Sequence, residues 1–147
     1  WTDPEILDLW WAPKPYQAVS KKLDLKPGGI WHYYMQGPEG DQHWCLFEYQ
    51  NINHQESFDG IDAFCDENAQ VNNSKPRVKW FNQFKSQGDE TLVIAELSFE
   101  KLSDLESIIE MGFKEGFTAG LENLDHYISA QFYLRKQNQT LLKPRVS

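Results

Sequence analysis

The chain has 147 residues, 40% of them hydrophobic, 14% aromatic and 24% charged, which suits one globular domain around a single core. No apolar run approaches the roughly 20 residues of a membrane span and no basic segment followed by an apolar stretch is present, so the chain reads as soluble and cytoplasmic. Fourteen Lys and Arg against 22 Asp and Glu give a net charge of −8, a field that repels phosphate backbones and sets nucleic acid aside as a partner. The first residue is Trp1 rather than Met, so the localisation reading covers only the residues from there on. Cys45 and Cys65 are too few for a disulfide framework and belong to no CxxC pattern; both read as buried free thiols.

Thr2-Asp3-Pro4-Glu5 is a helix start, with Asp3 as cap and Pro4 where its missing N–H costs nothing; Ile6, Leu7, Trp10 and Trp11 follow at helical spacing. A strand over Tyr16 to Leu25 is expected next, then a reversal at Lys26-Pro27-Gly28-Gly29. Ile30 to Gln36 opens a hairpin across Gly37-Pro38-Glu39-Gly40. If Gln36 faces Asp41, Tyr33 pairs with Trp44 and Trp31 with Leu46, so Trp31, Tyr33, Met35, Trp44 and Leu46 share one face. His32, Tyr34, His43, Cys45 and Phe47 then share the other. The third and fourth strands meet around Asn53-His54-Gln55, and the fourth ends at Ala63-Phe64-Cys65-Asp66 before a polar loop over residues 67–75.

A second hairpin, Arg77 to Lys85 and Glu90 to Phe99, pairs Lys85 with Glu90. It gives an apolar face of Val78, Trp80, Phe84, Val93, Ala95 and Leu97, on which Asn82 is the polar exception. Ser103-Asp104-Leu105-Glu106 reads as a capping box opening one long final helix, with Gly112, Gly116 and Gly120 inside it. Each glycine costs about 1 kcal/mol relative to Ala there, so either the helix approaches the sheet closely at these positions or the missing side chains leave volume beneath it. All 22 acidic residues lie at or before Asp125, while Arg135, Lys136, Lys143 and Arg145 follow it. Residues 129–147 read as a polar basic tail, linker or helix extension behind a domain over residues 1–128.

Short helix, antiparallel strands and long last helix describe an α+β fold of about six strands. The blocks Trp1-Thr2-Asp3-Pro4, Trp10-Trp11-Ala12-Pro13, Leu25-Lys26-Pro27-Gly28-Gly29-Ile30-Trp31, Met35-Gln36-Gly37-Pro38-Glu39-Gly40 and Met111-Gly112-Phe113-Lys114-Glu115-Gly116-Phe117 resemble, in order and spacing, those of a large family. It is the family of homologues of the activator of the 90-kDa heat-shock protein ATPase, within the START-like, birch-pollen-allergen-like superfamily. The resemblance implies a helix-grip fold: a curved antiparallel sheet around the last helix, with a hydrophobic cavity between them. Relatives usually carry a first strand and short helix before the Trp-Thr-Asp-Pro block. If that strand is missing, a sheet edge is left open to recruit another strand, for example in a homodimer. The tail also resembles linkers that in some relatives lead to a second domain.

No HExxH, Gly-x-Ser-x-Gly or phosphate-binding loop is present, no cofactor is implied, and no catalytic residue stands out. His32, His43 and Cys45 could meet on one face, yet that face reads as ordinary outer surface and no metal site is expected. Asp62, Asp66 and Glu67 read as solvated groups at a loop border. The leading expectation is therefore a binding domain for a small hydrophobic molecule, such as a lipid, held by Trp31, Tyr33, Met35, Trp44, Trp80, Asn82, Phe84, Met111 and Phe117. Tyr33, Asn82 and Tyr49 would orient it. A core filled by the same rings is the competing outcome. A chaperone-interacting module and an aromatic-ketide cyclase-like enzyme are the alternatives; the second needs an acid or base inside the pocket.

Overall fold

A computed structural model describes residues 1–142, in which six antiparallel strands follow one another in a single curved sheet with three helices. The elements are α1 (Pro4–Trp10), β1 (Gln17–Leu23), β2 (Ile30–Gln36), β3 (Gln42–Asn53), β4 (Ser57–Phe64), β5 (Val78–Gln87), β6 (Glu90–Ser98), α2 (Leu102–Glu110) and α3 (Phe113–Leu142). Strand order matches chain order, with β1 and β6 at the edges. The α+β architecture expected from the sequence is the one observed.

α1 forms as its residues dictate. Asp3 accepts a hydrogen bond from the Glu5 N–H at 2.9 Å, Pro4 occupies the first turn, and Leu7 and Trp10 are its buried residues. Its buried face joins Trp31, Tyr33, Cys45, Phe47, Tyr49, Phe58, Val78 and Trp80 from the sheet and Ile108 from α2 in one core.

The β2–β3 register corrects the expected one. Gln36 faces Gln42, Tyr34 faces Trp44, Tyr33 faces Cys45 and Trp31 faces Phe47. Gly37 donates its N–H to the Asp41 carbonyl at 2.9 Å, closing a loop whose last residue, Gly40, takes φ +87°. A turn followed by a left-handed glycine adds one residue to the connection. The slip is one residue, so every β3 side chain changes face. Cys45 and Phe47 join Trp31 and Tyr33, while Trp44 and Leu46 lie on the outer face with Tyr34 and His32. This also separates His32 from His43 and Cys45, and among the described residues no group of three metal-ligating side chains comes together.

In the second hairpin Gln87 faces Glu90 across a two-residue turn, Gly88-Asp89, with Gly88 at φ +65°. The expected pairing is off by two residues, and the face assignment survives. Phe84 faces Val93, Asn82 faces Ala95 and Trp80 faces Leu97.

The single terminal helix is two helices. Gly112 takes φ +83° and ends α2, the conformation a glycine supplies just past a helix C-terminus. The expected capping box is not the cap: Lys101 holds that position and its side chain makes no capping hydrogen bond. α3 continues to Leu142, so the polar stretch from 129 to 142 takes the form of a helix extension, and Lys143 and Arg145 lie outside the described residues.

Candidate functional site

The concave side of the sheet is occupied by rings from three directions. α1 delivers Trp10 and Trp11, the sheet supplies Trp31, Tyr33 and Trp80, and α3 supplies Phe113 and Phe117. Trp11 stands at the centre, with ring centroids 5.4 Å from Trp31, 5.8 Å from Trp80 and 6.1 Å from Phe117. Its indole N–H donates to the Tyr33 hydroxyl at 3.0 Å. Trp31 stacks on Tyr33 at 3.9 Å and donates to Ser20 Oγ at 2.9 Å, and Ser20 Oγ donates to Asp8 Oδ1 at 2.7 Å, which ties β1 and β2 to α1.

α3 holds this plug in place. A Cβ at Gly120 would stand 2.9 Å from the Trp11 carbonyl oxygen and 3.2 Å from that of Trp10. Three residues on, Asn123 Nδ2 donates to the Ala12 carbonyl at 3.1 Å. The pair lets α3 read the carbonyl end of α1 at close range, satisfying an acceptor that the helix terminus leaves free.

What remains of the expected chamber is small. A cavity of about 20 Å³ is lined by Trp1, Trp11, Trp31, Phe47, Tyr49, Phe58, Trp80 and Asn82. It is far below the few hundred Å³ of a drug-sized ligand site, because the two indoles of α1 fill the space under α3. The larger space, about 500 Å³, is an open groove beside the β3–β4 hairpin. Trp1, Thr2, Leu25, Ile52, Phe58 and Phe84 are among its walls. Trp1 and Phe58 belong to both linings and separate groove from cavity.

Polar groups inside this aromatic wall are few. Asn82 is 2% exposed, and its Oδ1, like Trp10 Nε1 and Trp80 Nε1, has no hydrogen-bond partner. Asp62 lies opposite Phe47 and Val78, hence on the concave face. The expectation of a solvated carboxylate is corrected: burial pushes its pKa up to about 7, opposed by the nearby Trp80 N–H and the Ala63 backbone. Trp80 Nε1 exerts this pull without reaching hydrogen-bond geometry. Burial likewise raises the pKa of the Tyr33 hydroxyl, the Cys45 thiol and the Tyr49 hydroxyl, so all three stay protonated.

The family profile described as "Activator of Hsp90 ATPase homolog 1-like protein" matches residues 1–129. The chain belongs to this family. Among solved structures of the same START-like fold, a Mycobacterium smegmatis protein is 26% identical, with 86% of this chain and 77% of that one covered at a TM-score of 0.77. An Arthrobacter aurescens protein is 25% identical, with 88% and 76% covered at 0.82. One from Nitrosomonas europaea, 22% identical with 90% and 84% covered at 0.74, shares the fold. No curated protein matches the chain.

Within this family member, the residues singled out from sequence divide into groups. Trp31, Trp80 and Asn82 line the cavity, as does Tyr49. Tyr33 is buried beneath them with its hydroxyl taken by Trp11. Phe84 borders the groove, and Phe117 packs on Trp80 at 5.4 Å. Met35 is half-buried at the core margin. Two lie elsewhere. Trp44 sits on the outer face between Tyr34 and His32, at 4.6 and 4.9 Å, and Met111 is 52% exposed at the end of α2. Sequence reasoning missed Trp1, Trp11, Phe47 and Phe58 as wall residues. Phe47 was lost to the register slip, while the alternation of Phe58, Gly60, Asp62 and Phe64 along β4 carried the signal for Phe58 and Asp62 alike.

Proposed function

We propose that this domain binds a small, largely apolar molecule at the end of the sheet where Trp1 meets the β3–β4 hairpin, with one end of the molecule directed at the buried cavity. The observation that carries the reading is the shared wall: rotation of the Trp1 indole would join the 500 Å³ groove to the aromatic interior. Trp1 meets Trp10, Trp11 and Phe84 in edge contacts at 5.0, 6.3 and 5.8 Å, each worth about 0.5–1.5 kcal/mol. Burial of ligand surface at roughly 25 cal/mol per Å² can offset that cost. The family match supports the same direction, since the START-like fold is that of a ligand-binding domain family.

Titration with the neutral fluorophore N-phenyl-1-naphthylamine tests this. Saturable binding is expected, with energy transfer from the tryptophans around the cavity and at least tenfold weakening in His54→Trp, which fills the groove. Absence of saturable binding by both this probe and a total lipid extract would overturn the reading.

A further inference from the structure

Six of the nine large apolar side chains that stand exposed among the described residues gather in two places. Leu102, Ile109 and Met111 lie on α2 or directly after it, and Ile128, Tyr133 and Leu134 lie on the last part of α3. On α2, Leu102, the half-buried Leu105 and Ile109 recur at i, i+3 and i+7, forming one stripe beside the face that buries Ile108. On α3, Ile128 and Leu134 continue, through Gln131, the face on which Leu121 and Leu124 pack. The surroundings of the two stripes carry opposite charge. Residues 100–111 hold Glu100, Asp104, Glu106 and Glu110 against Lys101 alone, and Glu106 and Glu110 are exposed on the turns that carry the stripe. The chain from Ile128 onward holds Arg135, Lys136, Lys143 and Arg145 and no acidic residue. Opposite charge around apolar surface sets which partner is accepted and in what register. One chain cannot bring the two stripes together: from Phe113 to Ile128 α3 advances roughly 22 Å at the helical rise, and its continuation to Leu142 leads farther from α2.

We propose that the two stripes are the halves of a self-association surface, the basic end of α3 in one copy lying on the acidic face of α2 in a second copy. With the two α3 helices antiparallel, each copy lends its extension to the other. The same contact is then made twice around a two-fold axis, which closes the pair. Each contact pairs a nine-residue helix with a similar length of extension. Such an area belongs with weak, transient interfaces, for which a dissociation constant on the order of 10–100 µM is expected. Below that concentration the extension is free, and its removal leaves the stability of the monomer unaltered.

Sedimentation equilibrium of the full chain at low salt, from about 1 to about 300 µM, brackets this range. The average mass is expected to rise toward twice that of the monomer. Glu106→Lys combined with Glu110→Lys, and separately Arg135→Glu combined with Lys136→Glu, should each weaken association at least tenfold, because like charges then face each other in both contacts. Mixing the two charge-reversed proteins should restore it as a hetero-pair, since opposite charges face each other again in both contacts. A monomer mass for the unmodified chain throughout the range overturns the proposal and leaves the two stripes to other partners or none. A dimer that survives deletion of residues 130–147 overturns it too, and that comparison decides the matter even if a charge-reversed protein does not fold. Association unchanged in both folded charge variants, or a mixture of them that stays monomeric, likewise sinks it.

Discussion

Asp62 stands where a carboxylate is least welcome, on the concave face between Phe47 and Val78. Its pKa is raised from 3.8 to about 7 by burial, so the folded state holds a proton that the unfolded chain releases at lower pH. Between about pH 4 and pH 7 the folded form binds more protons than the unfolded one, and stability falls as pH rises; above pH 7 the contribution is flat. Asp62→Asn should therefore flatten this part of the pH profile. It should also raise unfolding free energy at pH 8 by on the order of 1–3 kcal/mol, allowing for the partial solvent access of the side chain. Urea denaturation at pH 5 and pH 8 checks both, and an unchanged slope in the variant would contradict the assignment. The same carboxyl is the group that a cyclase-like chemistry would require, but it does not line the cavity. From sequence it looked solvated, because its chain neighbours Asp66 and Glu67 are exposed loop residues. Its place on β4, in step with Phe58 and Phe64, was the better guide.

The three glycines of the C-terminal region, evenly spaced in sequence, are not equivalent: two have a structural role and Gly116 has none. Gly112 supplies the positive φ that separates α2 from α3. Gly120 permits close approach to the Trp10 and Trp11 carbonyls, whereas a Cβ at Gly116 meets nothing nearer than Pro13 Cγ at 3.7 Å. Gly116→Ala should thus stabilise by up to about 1 kcal/mol through helix propensity. Gly120→Ala should destabilise by about 1–3 kcal/mol, since backbone rather than a flexible side-chain end must yield. Thermal unfolding of the two variants gives opposite signs if the packing is right, and equal signs would refute it. Periodicity puts all three on one helix face, whereas Gly112 lies between α2 and α3, and which of the other two touches something depends on the Trp10–Trp11 segment, which is distant in sequence. Hairpin pairing shows the same division. A two-residue error at Gly88-Asp89 left every β5 and β6 face correct, while a one-residue error at Gly40 exchanged Trp44 for Phe47. The side-chain alternation of a strand tolerates even slips and no odd ones. The first hairpin, with aromatic residues on both faces, offered no apolar pattern to detect the mistake.

At the scale of the whole molecule, the expectation of a curved sheet around a last helix was legible because blocks along the chain specify it, whereas the expected chamber was not. The rings that could line a cavity could equally fill it, and only the depth to which α1 inserts Trp10 and Trp11 decides between these outcomes. α3 shows how far that core extends. Its 30 residues span roughly 45 Å at the helical rise, yet among the described side chains Leu124 is the last hydrophobic one packed on the core. Beyond it Ile128 and Tyr133 are 54% and 61% exposed. The matched family region ends at residue 129, close to where these contacts stop. Deleting residues 130–147 should therefore lower ellipticity at 222 nm, preserve the near-ultraviolet signal of the buried indoles, and move Tm by no more than about 2 °C, the equivalent of less than about 1 kcal/mol for a chain of this size. Deleting from residue 121 onward removes Leu121, Asn123 and Leu124 and should abolish cooperative unfolding. A Tm loss above about 5 °C from the shorter deletion would mean that the extension docks on the body. If the tail's basic residues held it to the acidic remainder of the chain, that loss would shrink as salt rises from 0.05 to 0.5 M, since screening weakens exposed charge contacts over this range; a loss independent of salt would point to apolar docking through Tyr133 and Leu134.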